Sequence, residues 1–295
     1  MISLDGKKLF NKIKEELKVE VQFLNKNGLR SPHLAAILIG DNPASRTYIN
    51  AKVKACNEIG FDSTVINFPS SIEQKELLTK INEINCNDDI DGLIVQLPLP
   101  DHLDEDVVTH NISYKKDVDG FHPVNIGRMV LGLPCFLPAT PFGIMSLLKE
   151  YNIDTTGKKC LVIGRSHIVG TPISILMSRN NSFGNSTVTL AHSKTKKLKS
   201  LTLQSDIIIV ALGKAHFLTN DMVKKSSVII DVGIHRVPSS VTKSGYKLIG
   251  DVDFDKVKDK VSYISPVPGG VGPMTIASLL KNTLYSAKKV IYSSS

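Results

Sequence analysis

Tyr48 and Lys52 stand four residues apart in the segment IGDNPASRTYINAKVKAC. On a helix this spacing places both side chains on one face, so an aromatic ring and an amine can enter the same cleft. Such pairs are also common on plain helix surfaces, and the spacing alone does not separate the two cases. A second polar group stands out in GLIVQLPLP, where Gln96 interrupts an apolar run as it leaves a strand and Pro98 and Pro100 then forbid further regular pairing. Ligands of open α/β sheets collect at the carboxyl ends of strands. Gln96 and the loop KKDVDGFHPVNIGR, with Asp117, Asp119 and His122, can therefore face the cleft of Tyr48 and Lys52. For each aspartate the competing assignment is a turn or a helix cap.

In LVIGRSHIVGTPISILM a buried strand runs into Gly164, Arg165, Ser166 and Gly170 and then into an apolar helix beginning at 169–172. A strand, glycine turn and helix in that order point backbone donors and the positive helix end at an anion, although the spacing departs from GxGxxG. Arg165 can reach phosphate oxygens bidentately. After the next strand the sequence supplies His192, Ser193, Lys194 and Lys197 where NAD-selective folds place an acidic residue, which favours NADP. The lysine run itself reads equally well as a solvated helix start. A last feature is SPVPGGVGPMTIASLL, where Pro266, Pro268, Gly269, Gly270, Gly272 and Pro273 crowd together just before an apolar helix. That density suits backbone approaching a ligand closely, against the plainer reading of a turn into the helix.

Positioning these groups requires alternating strands and helices. Leu9, Ile13, Leu17, Val21 and Leu24 recur at helical spacing up to Asn27 and Gly28. Strand 33–39, helix 44–59, strand 63–68, helix 72–84 and strand 92–96 follow. A proline-bearing stretch (98–141) and a helix (142–151) lead to strands at 160–163, 186–190, 206–210 and 228–231, and a last helix spans 274–288. This alternation predicts two α/β domains with parallel sheets. The boundaries are expected at 1–144, joined by the carboxyl-terminal helix 273–295, for the first domain and at 145–272 for the second.

The 295 residues, 42% hydrophobic and 22% charged, have the make-up of a soluble globular protein of about two domains. Four dispersed cysteines without a CxxC pair, and no HExxH, predict a reduced, metal-free protein. No signal peptide or membrane span is read, so a cytoplasmic location is expected. The net charge of +8 is compatible with nucleic acid or with an anionic small molecule. Its basic residues are dispersed and not interleaved with aromatic ones, which argues against a nucleic-acid surface.

Taken together, GDNPASRTYINAKVKA, DGLIVQLPLP, KKDVDGFHPVNIGR, GRSHIVGTP, IIDVGI, GDVDF and PVPGGVGPMTIASLL resemble, in order and over essentially the full length, the bifunctional methylenetetrahydrofolate dehydrogenase/methenyltetrahydrofolate cyclohydrolase family. The resemblance implies a folate domain and a Rossmann-like NADP domain flanking a cleft, usually in a homodimer. It also implies NADP-dependent oxidation of 5,10-methylenetetrahydrofolate to the methenyl cation, then hydrolysis of that cation to 10-formyltetrahydrofolate. By position, Lys52 resembles the catalytic lysine, Tyr48 the ring that stacks on folate, Gln96 the partner of the lysine and Asp119 the carboxylate that holds the pterin. Val95 and Leu97 flank Gln96, and Pro268, Gly269, Gly270, Val271 and Gly272 are implied on the folate side. Gly164, Arg165, Ser166, Ser193 and Ile234 fall where the family contacts NADP. The family's frequent PCTP reads Pro138–Ala139–Thr140–Pro141, its CHS reads Ala191–His192–Ser193, and the asparagine usual after DVGI is His235. A monofunctional NADP-dependent dehydrogenase would require loss of Lys52 or Gln96, and neither is lost. A dinucleotide-binding module without turnover is the remaining alternative.

Overall fold

The structure is a computed structural model that describes residues 1–242 and 245–292. In chain order the first elements are β1 (Ile2–Ser3), α1 (Gly6–Lys26), β2 (His33–Ile39), α2 (Pro43–Ile59), β3 (Asp62–Phe68), α3 (Gln74–Asn85) and β4 (Gly92–Val95). Three helices follow, α4 (Glu105–Asn111), α5 (Pro123–Val130) and α6 (Ala139–Glu150). Next come β5 (Lys159–Ile163), α7 (Gly170–Ser178), β6 (Thr187–Ala191), α8 (Leu198–Gln204), β7 (Ile207–Val210) and β8 (Val228–Asp231). The chain continues through β9 (His235–Pro238), β10 (Tyr246–Ile249), α9 (Phe254–Val257), β11 (Tyr263–Ile264) and α10 (Val271–Ala287).

Two compact α/β units result, one of residues 11–139 and 276–292 and the other of residues 1–10, 140–242 and 245–275. In the unit of residues 11–139, β2 lies between β3 and β4 in a parallel sheet. The central strand β2 (HLAAILI) and its neighbour β4 (GLIV) are almost wholly buried, as their apolar runs require of strands covered on both faces. Leu9, Ile13, Leu17, Val21 and Leu24 of α1 are all buried. Each such side chain contributes about 1.5–3 kcal/mol when fully buried. Asn42 starts α2 by accepting hydrogen bonds from the Ala44 and Ser45 amides, Pro43 fills the first helical position, and Gly60 ends the helix at φ +85°.

The second unit carries a six-stranded sheet in the order β1, β11, β8, β7, β5, β6, with every neighbouring pair parallel. Its middle strands β5, β7 and β8 are apolar and buried, and β9 and β10 form a separate antiparallel hairpin. The sheet reverses its winding at β5, which is flanked by β6 on one side and β7 on the other, and a doubly wound sheet opens a crevice beyond such a point. Residues 1–10 were expected with the first domain. The structure instead joins them to the large sheet, because β1 pairs with β11, the Leu4 amide donates to the Ile264 carbonyl at 2.9 Å and the Lys7 amide to the Gly269 carbonyl at 2.9 Å.

The last helix is tied to irregular backbone by Asn282, which is buried and whose Nδ2 donates to the carbonyls of Val118 (2.8 Å) and Leu137 (3.0 Å). Removing the amide leaves two carbonyl acceptors without this donor, at a cost of about 1–3 kcal/mol. Asn282→Ala is therefore expected to lower the urea midpoint of unfolding while leaving the far-UV circular dichroism of the native protein unchanged. An unaltered midpoint would contradict this account of the helix's attachment.

Candidate functional site

Lys52 sits on α2 with only 6% of its surface exposed. Its Nζ donates to Gln96 Oε1 at 3.1 Å, and Gln96 Nε2 in turn donates to the Leu97 carbonyl at 2.8 Å, so the amide is held with its oxygen toward the amine. Gln96 is placed by its own backbone, whose amide extends the β4 ladder by donating to Ile37 at 2.9 Å. Burial lowers the Lys52 pKa below the ordinary lysine value, opposed in part by the charge of Asp119. Asp119 is affected in the mirror sense, with burial raising its pKa and the lysine pulling it down. Cys56, one turn further along α2, is pushed up to about 12 by burial and stays an uncharged neighbour.

Tyr48, Gln96 and Leu97 line a cavity of about 320 Å³ together with Asn42, Ala44, Ser45 and Pro98. Burial raises the Tyr48 pKa, so its ring enters the cavity as a neutral phenol. Val95, by contrast, is part of the apolar core of the unit and does not line this cavity. The sequence reading had not singled out Asn42 or Ser45. The pattern that marks them is the Asn-Pro pair at the start of α2, since a cap that fixes the first turn also fixes the rim of the cavity.

The loop between α4 and α5 separates its two aspartates cleanly. Asp117 is buried and accepts from the amides of Gly120 (3.1 Å), Phe121 (3.1 Å) and His122 (2.8 Å) and from Asn125 Nδ2 (2.9 Å). Burial pushes its carboxyl up to about 7 against the pull of those donors. It is the turn-forming residue of the loop, and His122 is the cap of α5, its Nδ1 accepting from the Val124 amide at 3.1 Å. Asp119, two residues from this anchored carboxylate, is the aspartate whose charge is coupled to Lys52.

In the second unit, Gly164, Arg165 and Ser166 follow β5, Ser193 follows β6 and Ile234 follows β8, so all five stand at the carboxyl edge of one parallel sheet. Gly164 has φ +116°, and a Cβ on it would sit 2.1 Å from the Ala211 carbonyl oxygen, so the turn after β5 packs backbone to backbone on the turn after β7. Arg165, Ser193 and Ile234 are exposed, and Ser166 Oγ accepts from the Val169 amide at 3.1 Å, helping to shape the start of α7. A glycine cradle with exposed polar and cationic groups at the reversal of a doubly wound sheet fits a dinucleotide phosphate, and His192–Ser193–Lys194 at the end of β6 place no acidic group against a 2′-phosphate.

The proline and glycine cluster has a partly structural explanation. A Cβ on Gly6 would meet the Gly270 carbonyl oxygen at 1.8 Å, and the Gly270 amide donates to Pro266 at 2.8 Å. The first of these contacts accounts for glycine at position 6; at Gly270 itself a Cβ would sit 2.6 Å from the Pro266 carbonyl oxygen, so the tight turn after β11 accounts for that residue, while Gly269 has φ +107° and Val271 and Gly272 already belong to the first turn of α10.

Residues 4–119 match the family model described as the tetrahydrofolate dehydrogenase/cyclohydrolase catalytic domain, and residues 138–291 match its NAD(P)-binding domain. The bifunctional protein FolD of Cytophaga hutchinsonii is 61% identical over 284 residues, covering 96% of this chain and 98% of that protein. The crystal structure of the bifunctional FolD dehydrogenase/cyclohydrolase from Campylobacter jejuni superposes with a TM-score of 0.92 at 52% identity, over 98% of this chain and 99% of that one. The Trypanosoma brucei dehydrogenase-cyclohydrolase, solved with NADP cofactor and an inhibitor, gives 0.93 at 33% identity over 99% of both chains. With both domain models matched in order and relatives covered almost end to end, the chain belongs to the tetrahydrofolate dehydrogenase/cyclohydrolase family.

Proposed function

We propose that this protein oxidises 5,10-methylenetetrahydrofolate to 5,10-methenyltetrahydrofolate with NADP and hydrolyses the methenyl cation to 10-formyltetrahydrofolate. The observation that carries the reading is the Lys52 amine, buried and bonded to Gln96 beside the cavity that Tyr48 lines, in a chain of this family. NADP, when bound, supplies the acceptor for the hydride. The chain's part in that step is to position the two reactants, with Tyr48 stacked on the folate, Asp119 on the pterin, and backbone at Val95, Leu97, Pro268, Gly269, Gly270, Val271 and Gly272 in contact with the substrate. Gly164, Arg165, Ser166, Ser193 and Ile234 hold the dinucleotide.

For hydrolysis, water adds through its oxygen to the methenyl carbon and gives up one proton to Lys52 Nζ; cleavage of one carbon–nitrogen bond, with the remaining hydroxyl proton passing to the nitrogen released, then leaves the formyl group on the other nitrogen. A neutral amine can take that proton and an ammonium cannot, so burial of Lys52 is what suits it to the task. An uncharged Lys52 also avoids opposing the cationic product of the oxidation, which a fixed ammonium would disfavour. Gln96 accepts a hydrogen bond from the amine in either protonation state, which fixes where it points. We extend the reading to a homodimer in the cytoplasm, serving one-carbon metabolism and through it purine biosynthesis. Among the described residues no helix is long and apolar enough to cross a membrane.

Purified protein given 5,10-methylenetetrahydrofolate and NADP is expected to produce reduced cofactor with only transient methenyl absorbance, and to do so poorly with NAD. Persistent methenyl would leave a dehydrogenase alone, and absence of reduced cofactor would contradict the assignment. On supplied methenyltetrahydrofolate, the enzymatic hydrolysis rate should rise with pH as the proton leaves Lys52, in a range below the ordinary lysine value. Lys52→Arg, whose guanidinium does not deprotonate, should lose about 10²–10⁴-fold of that rate and the associated pH limb. Retention of the same profile in the variant would remove Lys52 as the base.

A further inference from the structure

We infer that His235 is a positioning residue for NADP, acting through Asp251 to hold the backbone of residues 212–214 in its binding form. The inference rests on the reading that the carboxyl edge of the large sheet receives the dinucleotide. Asp251 is wholly buried, and its carboxylate gathers four donors. Its Oδ2 accepts from the amides of Leu212 (2.7 Å) and Gly213 (2.9 Å), while its Oδ1 accepts from the amide of Lys214 (2.8 Å) and pairs with His235 Nε2 (2.7 Å). Nε2 is assigned as the donor of this pair, the tautomer that adds a fourth donor to the three amides.

Three successive amides wrapped around one carboxylate set the course of the turn after β7. This is the turn whose Ala211 carbonyl lies against Gly164, at the reversal of the sheet. The same carboxylate is backed by Asp231, whose Oδ1 accepts from the amides of Gly233 (3.0 Å) and Asp251 (2.9 Å) and whose Oδ2 accepts from Val252 (3.0 Å). Two turns at the carboxyl edge, after β7 and after β8, therefore share one buried pair of carboxylates. The amide donors are backbone and would be offered by almost any sequence. His235 is the donor that the sequence chooses, and it adjoins Ile234, one of the proposed cofactor contacts. Loss of its bond leaves a fully buried Asp251 oxygen with one donor fewer, and the group free to respond is the turn it holds.

The test compares His235→Ala and His235→Asn with the parent enzyme in four readouts. They are NADP dissociation constant by fluorescence titration, KM for NADP against kcat in the dehydrogenase direction, hydrolysis of methenyltetrahydrofolate without dinucleotide, and the thermal midpoint. His235→Ala is expected to weaken NADP binding and raise its KM by about tenfold with kcat little changed, as loss of one hydrogen bond to a charged group would. Hydrolysis should stay within twofold, and His235→Asn, which retains a short donor, should recover most of the affinity. Unchanged NADP affinity in His235→Ala overturns the inference, as does a fall in hydrolysis and thermal midpoint that parallels the loss of binding and is not rescued by asparagine. Arg165→Ala/Ser193→Ala serves as the control for the underlying reading. If it leaves NADP affinity intact, the proposed cofactor edge is wrong and the inference falls with it. If it weakens binding while His235→Ala does not, the edge stands and the positioning role alone is overturned.

Discussion

Lys52 must be kept from water while its amine still has a polar partner, and much of the first unit is arranged to meet those two demands together. A buried ammonium is disfavoured in a low-dielectric setting, and an amine with no partner leaves donors unmatched. Gln96 answers both, because an amide oxygen can accept from the amine without supplying a full negative charge that would lock the proton in place. A carboxylate at the same distance would hold Lys52 as an ammonium. The structure gives that contact to Gln96 and leaves Asp119 to act through its field. The cap at Asn42, the β4 ladder ending at the Gln96 amide and the turn formed by Asp117 are the fixed points from which these groups extend.

The second unit meets a different demand, that of bringing backbone close to an anion. There the work is done by buried carboxylates that accept from turns. Asp117 does this in the first unit for the loop that carries Asp119, and Asp231 and Asp251 do it in the second for the turns after β7 and β8. For Asp117 and Asp231 burial pushes against ionisation and surrounding donors pull toward it, with both brought to about 7. Backbone amides close to these carboxylates make ionisation tenable despite burial, which is why the turns and the aspartates depend on one another.

Much of the fold was legible because its strands are short, continuous apolar runs and its helices carry a clear face. The reading of β2 at 33–39 and of β8 at 228–231 coincides with the structure, and the apolar stripe of α1 is the stripe that is buried. The two-residue strands β1 and β11 and the hairpin of β9 and β10 were not read, since two residues carry no periodicity and the pairing of Ile2 with Tyr263 spans nearly the whole chain. That pairing is also why the sequence places the first ten residues with the wrong unit. In the site, the helical spacing of Tyr48 and Lys52 and the polar break at Gln96 were visible as local patterns. The bond between Lys52 and Gln96, 44 residues apart, and the division of labour between Asp117 and Asp119 needed three-dimensional structure. The glycine cluster shows the opposite limit, because a density that suggested a ligand is explained in part by the tight turn that brings the Pro266 carbonyl against Gly270.

The protonation of Lys52 is the point on which the chemistry turns, and it can be observed directly. Protein labelled with ¹⁵N at lysine side chains would be titrated by NMR, with the Lys52 signal assigned by its disappearance in Lys52→Arg. The account predicts that this one amine loses its proton at a pH clearly below the value of about 10.4 usual for a solvated lysine side chain. Titration of Lys52 at or above that value would mean an ammonium throughout the working range, and would contradict its role as the base.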